Sequence, residues 1–279
     1  MSLPGPPPRV TTLLDAAERV GLFPAAALEI FEVLRDPEID GKRLAAVIGR
    51  DPVLTGRILK TANSPFYGRQ RKVGTIEQAL VVLGFHVVRD LAVSFALVAM
   101  GRTASPAAAP LWRHSQQVGV LAATLAKVVR TVDPAAAMVV GMLHDLGEVV
   151  MLEVEPARHT QLLARMKPDD PRIVMAERVL FGIDHADLGA ACVLHWGLPT
   201  PYAALIRDHH SALVDPVPAL ASVLHLADAG VGLLERGVPA ATVAEDLAEC
   251  PANAGPTLPA STLKRCLDSL AAGCRDLLR

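Results

Sequence analysis

Gly141-Met142-Leu143-His144-Asp145-Leu146-Gly147-Glu148 decides how the chain is read. It sets an imidazole beside a carboxylate inside a strongly apolar helical run. Burying such groups is costly unless they are paired, hydrogen-bonded or bound to a metal. Most of the remaining histidines fall where helices could bring them to that pair.

Around this stretch the 279 residues are 51% hydrophobic and only 4% aromatic. Ala, Val and Leu supply much of that content, which suits close helix packing better than sheets. The length fits one large or two closely joined helical domains. A net charge of -2 and a pI near 6.5 give no strong nucleic-acid signal and no reason to expect an acidic membrane as partner. Met1 to Val10 has four prolines and no apolar core, so it reads as neither signal peptide nor anchor. The most apolar windows, Leu91 to Met100 and Ala135 to Leu143, are expected to be buried helices too short to span a bilayer. The expected location is cytoplasmic. Cys192, Cys250, Cys266 and Cys274 show no C-x-x-C spacing, so neither a thiolate metal site nor a disulfide framework is expected.

Helix starts recur along the chain. Asp51-Pro52, Asp133-Pro134 and Asp170-Pro171 each pair an N-cap with a proline in the first turn, and Thr75-Ile76-Glu77-Gln78 has the capping-box spacing. No segment alternates with period two, so the predicted fold is all-α, with two helical lobes of which the second is a bundle. Gly101 to Pro110 marks the boundary between lobes, and Cys250 to Pro259 isolates a last helix from about Ala260 to Leu278. The expected division is an N-terminal extension over 1–15, a first lobe over 16–103, a second lobe over 104–235 and a helical extension over 236–279.

In the first lobe, Asp51 to Gly68 reads as a capped helix stopped by Asn63 and Pro65, followed by an aromatic corner with Phe66 and Tyr67 packed beneath neighbouring helices. From Arg50 to Lys72, six basic residues (Arg50, Arg57, Lys60, Arg69, Arg71 and Lys72) face one aspartate, a balance of +5. They mark a candidate surface for an acidic partner or nucleotide; a solvated helix face is the commoner use of such a run. His86 reads as a packed or capping histidine.

In the second lobe, His114, His144, Asp145, His185, His209, His210 and Asp228 are the candidate metal ligands. They fall on five predicted helices, with His144 and Asp145 in mid-helix, and facing helices are how bundles build metal sites. Imidazole and carboxylate together suit iron, manganese or zinc, as one ion or two, and a carboxylate can bridge a pair. Two close ions can activate water and neutralise a phosphoryl group during hydrolysis. Any one histidine on an apolar helix is more often a hydrogen-bonded core residue; the joint pattern is what carries the reading. Gly141 and Gly147 are expected to leave room beside the pair. His159 is expected at the surface, His195 beside Trp196, and His225 as a partner one turn from Asp228.

The order His114, His144-Asp145, His185, His209-His210, Asp228 resembles the HD superfamily of metal-dependent phosphohydrolases, especially the HD-GYP phosphodiesterases. Leu22-Phe23-Pro24, Asp51-Pro52-Val53-Leu54, Ala62-Asn63-Ser64-Pro65-Phe66-Tyr67-Gly68, Ile76-Glu77-Gln78-Ala79-Leu80 and Leu83-Gly84 look like the HDOD domain, the HD-related output domain. This resemblance covers about Ala16 to Leu213. It implies a bacterial signal-transduction output module that acts through protein contacts, more often non-catalytic than not, with input from signalling proteins in separate chains. Two features depart from the hydrolytic relatives. Ser211 to Pro216 lacks a GYP motif, and Glu148 stands where those enzymes have lysine. A carboxylate there repels phosphate unless cations outweigh it; it is expected to serve as an extra ligand or to accept a hydrogen bond from an imidazole. The alternatives are a metal-dependent phosphohydrolase acting on a cyclic dinucleotide or other phosphoester, and a nucleotide sensor that does not cleave its ligand.

Overall fold

The computed structural model describes residues 8–19, 22, 25–36, 38–67, 72–166, 172–211, 213 and 217–278, and every regular element among them is helical. The stretch expected to form the N-terminal extension and the first lobe contains α1 (Pro8–Arg19), α2 (Ala25–Leu34), α3 (Gly41–Ile48), α4 (Pro52–Ala62), α5 (Ile76–Leu83) and α6 (Phe85–Thr103). The second contains α7 (Ala109–Val129), α8 (Pro134–Leu143), α9 (Leu146–Val154), α10 (Pro156–Leu163), α11 (Ile173–Phe181), α12 (His185–His195), α13 (Thr200–Arg207) and α14 (Ala219–Glu235). After it come α15 (Ala240–Glu249) and α16 (Ala260–Leu278).

Local chemistry sets these boundaries. Asp51 accepts from the amides of Val53 and Leu54, and Asp133 from that of Ala135, each just ahead of a first-turn proline. Thr75 accepts from Gln78, whose own side chain reaches back to the amide of Gly74, one residue earlier than in the usual capping box. The cap expected at Asp170-Pro171 lies outside the described residues. Asn63 ends α4 and holds the corner: its Nδ2 donates to the carbonyls of Leu59 and Val73, and its Oδ1 accepts from the amide of Val73. Phe66, on a 3-10 turn over Pro65–Tyr67, is 50% exposed instead of packed beneath its neighbours.

The two lobes share one apolar core. α6 lies along α8, and α1 crosses to pack on α9 and α12. Arg9 of α1 donates to the carbonyl of Phe181 and to Glu155, both in the second lobe. Phe31 of α2 stacks on Trp196 with ring centroids 4.3 Å apart. Buried Asp90 on α6 accepts from Tyr202 Oη on α13 at 2.7 Å and pairs with Arg89 at 2.7 Å.

The apolar run does not stop at Leu143. Taken together, Pro134–Val154 is 21 residues long and apolar enough to cross a bilayer by length and composition, but 83% of its most apolar 18 residues are buried within the protein. α8 packs chiefly against α7, and α9 against α12. The run is also not one helix, because α8 ends at Leu143, α9 begins at Leu146, and His144 and Asp145 occupy the break.

Candidate metal centre

The break is what lets adjacent residues work together. In a continuous helix their side chains would diverge by about 100°. Here Asp145 leaves the helical region at φ -103°, ψ 15°, and His144 Nε2 lies 3.0 Å from Asp145 Oδ2. Gly147 follows for a steric reason: a Cβ there would stand 2.0 Å from the carbonyl oxygen of His185. A Cβ at Gly141 would meet the backbone of Gly119 at 2.8 Å. Both glycines therefore allow close approach of backbones, and the room expected around them is filled by α7 and the start of α12.

All seven candidate ligands converge, in two sets. His114 from α7, His144, and Asp228 from α14 form one; Asp145, His185 at the start of α12, and His209 and His210 in the turn after α13 form the other. Within each set the ligand atoms lie within 4.8 Å of one another. Asp145 joins the sets. Its Oδ2 faces His144 and, at 3.7 Å, His114 Nε2; its Oδ1 lies 3.4 Å from His209 Nε2 and 3.7 Å from His185 Nε2. Asp228 Oδ1 lies 3.2 Å from His114 Nε2 and 3.6 Å from His144 Nε2.

Hydrogen bonds on the outer side of the rings prepare these atoms for a cation. His144 Nδ1 donates to the carbonyl of Gly141 at 2.7 Å and His209 Nδ1 to that of Ile206 at 2.6 Å, so each ring is held with Nε2 turned inward, free to offer its lone pair once a cation displaces any proton there. Those two Nε2 atoms are buried and make no hydrogen bond among the described residues, though each faces Asp145, His144 at 3.0 Å and His209 at 3.4 Å. His185 Nδ1 donates to Glu177 Oε2 at 2.6 Å, and its Nε2 faces His210 Nε2 at 2.7 Å. Two imidazole nitrogens that close need a proton or a cation between them. Orphaned buried nitrogens, inward lone pairs and carboxylates between them fit a divalent metal ion, and the imidazole–carboxylate mixture suits iron, manganese or zinc.

The electrostatics agree with that chemistry. Burial opposes charge on His114 and His185. For His114 the carboxylates of Asp228, Glu235 and Asp145 outweigh burial and lift the ring to about 9. Glu177 and Asp145 do the same for His185, also to about 9. His144 is likewise held well above its usual range against full burial, by Asp145 and Asp228. Burial would raise Asp145 and Asp228, yet the surrounding imidazoles keep both well below the usual carboxylate range. Burial and the neighbouring rings of His209 and His185 push His210 down to about 4, so it stays a neutral donor.

An outer ring of carboxylates orients the inner one. Besides the ring, Glu177 on α11 accepts from the backbone amide of His185 at 2.9 Å. Glu235, seven residues beyond Asp228 and on the same face of α14, lies 3.0 Å from His114 Nδ1. Sequence reasoning passed over both, although the seven-residue spacing on α14 was a usable signal for Glu235. Glu148 takes one of its two expected roles: it accepts from His159 Nε2 at 3.2 Å. His159 is therefore buried and not a surface residue, because α10 folds back along α9. His209 and His210 lie just beyond the end of α13, which stops at Arg207. His195 pairs with Arg35, and His225 donates from Nδ1 to the carbonyl of Ala221 with no contact to Asp228 recorded among the described residues. Of the basic run, Arg50 reaches Glu29, Lys72 is exposed, and Arg57 and Lys60 line a cavity between the lobes. Arg69 and Arg71 lie outside the described residues.

An all-α fold with a histidine- and aspartate-rich centre between helices defines an HD-type protein. The HDOD domain model matches residues 20–212, and the chain belongs to that family. It is similar over 96% of its length to an HDOD domain protein of unknown function from Geobacter sulfurreducens (26% identity, 97% of that chain, TM-score 0.64). It is similar over the same share to a candidate phosphohydrolase from Shewanella amazonensis SB2B (25% identity, 98% of that chain, TM-score 0.68). The MmoQ response regulator from Methylococcus capsulatus matches 87% of the chain over 95% of its own (25% identity, TM-score 0.50). An uncharacterized protein of Treponema pallidum is 26% identical over 203 residues, 72% of this chain; the match spans 39% of that relative's length.

Proposed function

We propose that the chain is a signal-transduction HDOD module that holds one or two divalent ions at the His/Asp centre and passes on its state through protein–protein contacts, without ordinary hydrolytic turnover. One observation carries this reading. One turn beyond His144 and Asp145, where the hydrolytic relatives have a lysine, this chain has Glu148, buried and hydrogen-bonded to His159. Among the described residues, the ion pairs that join the members of the centre are all imidazole to carboxylate, and no lysine or arginine takes part in them. The likeness to a response regulator supports the signalling role.

His114, His144 and Asp228 would hold one ion and Asp145, His185, His209 and His210 another. A bound ion would supply Lewis acidity and a water made acidic by coordination. The residues' own part is to keep lone pairs inward and to exclude bulk water. Asp145, with one oxygen turned to each set, favours a second reading as a two-ion phosphoesterase, in keeping with the Shewanella relative. Elemental analysis of protein purified without chelator, combined with assay of cyclic dinucleotides and a generic phosphodiester, separates the two. Bound metal without turnover is expected. Turnover at ordinary enzymatic rates, abolished by His144→Ala, would establish the hydrolase.

A further inference from the structure

A cavity of about 550 Å³ lies between the lobes, away from the His/Asp centre and sharing no residue with it. Its size falls within the roughly 300–1,000 Å³ usual for small-molecule sites. α4 and the Pro65–Tyr67 turn form one wall, α7 and α8 the opposite one, and Gly273 and Asp276 of α16 close a side. The mouth is apolar and open, with Val53 63% and Phe66 50% exposed.

The lining combines rings and cations. Arg57 and Lys60 project from α4 and Lys127 from α7, against Asp276 as the one acidic lining residue among the described residues. The Arg57 guanidinium lies 5.3 Å from the Phe95 ring centroid, and Lys127 Nζ lies 5.8 Å from that of Phe66. Arg102 adds positive potential near Arg57. Beyond Phe66 and Lys127 the surface continues to Arg130 and Asp133. An occupant must offer flat or apolar surface to Phe95, Phe66 and Met138 and negative charge to cations on two walls. Inorganic phosphate lacks the first. An acyl anion has the first, but it brings one negative charge to three lining cations, where a phosphate monoester brings about two. A phosphorylated heterocycle has both.

We propose that this inter-lobe cavity is a nucleotide site, taking a purine ring against the aromatic wall and its phosphate among Arg57, Lys60 and Lys127. The site is separate from the metal centre but built on the same helices. α8 lines the cavity with Pro134, Ala135 and Met138, and its chain reaches His144 about 9 Å further along. α7 likewise carries both Lys127 and His114.

The test is isothermal titration with AMP and GMP in EDTA, with guanosine, inorganic phosphate and laurate as separate arms. Saturable binding of a nucleotide below about 1 mM is expected, with phosphate alone silent and guanosine much weaker. Lys60→Glu and Lys127→Glu, at exposed positions that leave the fold intact by circular dichroism, should each weaken it about tenfold or more. Arg57→Gln provides a third, charge-removing variant. Absence of nucleotide binding, binding indifferent to all three substitutions, guanosine binding as tightly as GMP, or laurate binding in place of nucleotide would overturn the proposal. Because chelator is present throughout, the result is independent of whether the His/Asp centre takes metal.

Discussion

Glu177 Oε2 accepts two hydrogen bonds from His185, one from the backbone amide at 2.9 Å and one from ring Nδ1 at 2.6 Å. While Asp184 caps α12 through the amide of Asp187, this single buried carboxylate holds its first residue and sets which ring nitrogen donates and where Nε2 points. Such partners of metal-binding histidines are worth about 10–100-fold in affinity. Glu177→Gln should lower metal affinity by that amount while leaving the helical content unchanged. Competition titration against a chromophoric chelator measures it, and an unchanged affinity would remove Glu177 from the positioning role.

Glu148→Gln should behave differently. It takes the charge from the His159 pair in a buried place but leaves every member of the two ligand sets intact. The expected cost is about 1–3 kcal/mol of stability, read from urea unfolding, with metal stoichiometry unchanged. Loss of a bound ion in this variant would make Glu148 a ligand.

Gly147→Ala introduces a Cβ 2.0 Å from a backbone oxygen, where no side chain can move aside. Shifting α9 off α12 should cost about 3 kcal/mol or more, beyond ordinary overpacking. It should also separate Asp145 from His185, so metal content falls together with the thermal midpoint. A variant of wild-type stability would show the packing to be looser than described.

The ion-free protein should have a defined pH profile. His114 and His185 sit at about 9 in the folded state against an ordinary 6.5. Their contribution to stability is complete below 6.5 and is lost as pH rises through about 9. Asp145 and Asp228, held below the ordinary 3.8, contribute stability that is present above that value and lost on acidification. Urea midpoints in EDTA should therefore decline between pH 6.5 and 9. Saturating metal should flatten that decline, since ligation takes the place of the protons; a flat profile in EDTA would contradict the arrangement.

Much of this was legible in the residues. Asp51-Pro52, Asp133-Pro134 and Thr75 announce helices because capping is local chemistry, and the last helix spans Ala260–Leu278 as the prolines before it indicate. The ligand set was readable because His and Asp are few on apolar helices. The break at His144-Asp145 was not, since Ala, Val, Leu and Met on both sides favour an unbroken helix and only packing against α7 and α12 interrupts it. His159 escaped for a similar reason: one turn of α10 looks polar, and its burial depends on how α10 returns along α9. Glu177 lies mid-way along α11, whose N-cap Arg172 makes no side-chain cap hydrogen bond, and nothing local distinguishes it from a solvated glutamate. The corner at Phe66 was recognised, but its neighbours in space, Lys127 and Met138, are far away in sequence.

The positions that meet at the centre run from His114 to Glu235. No contiguous segment holds them, so the centre is an assembly of late, long-range encounters in folding. α7 must wait for α14, more than a hundred residues later in the chain, before His114 meets Asp228. A tight cation would therefore serve as a reporter of completed folding: it cannot be held by a partial chain, and once held it draws the equilibrium toward the finished structure by mass action. Metal supply would then govern how much of the protein is present in a competent form, whether or not any bond is ever cleaved there.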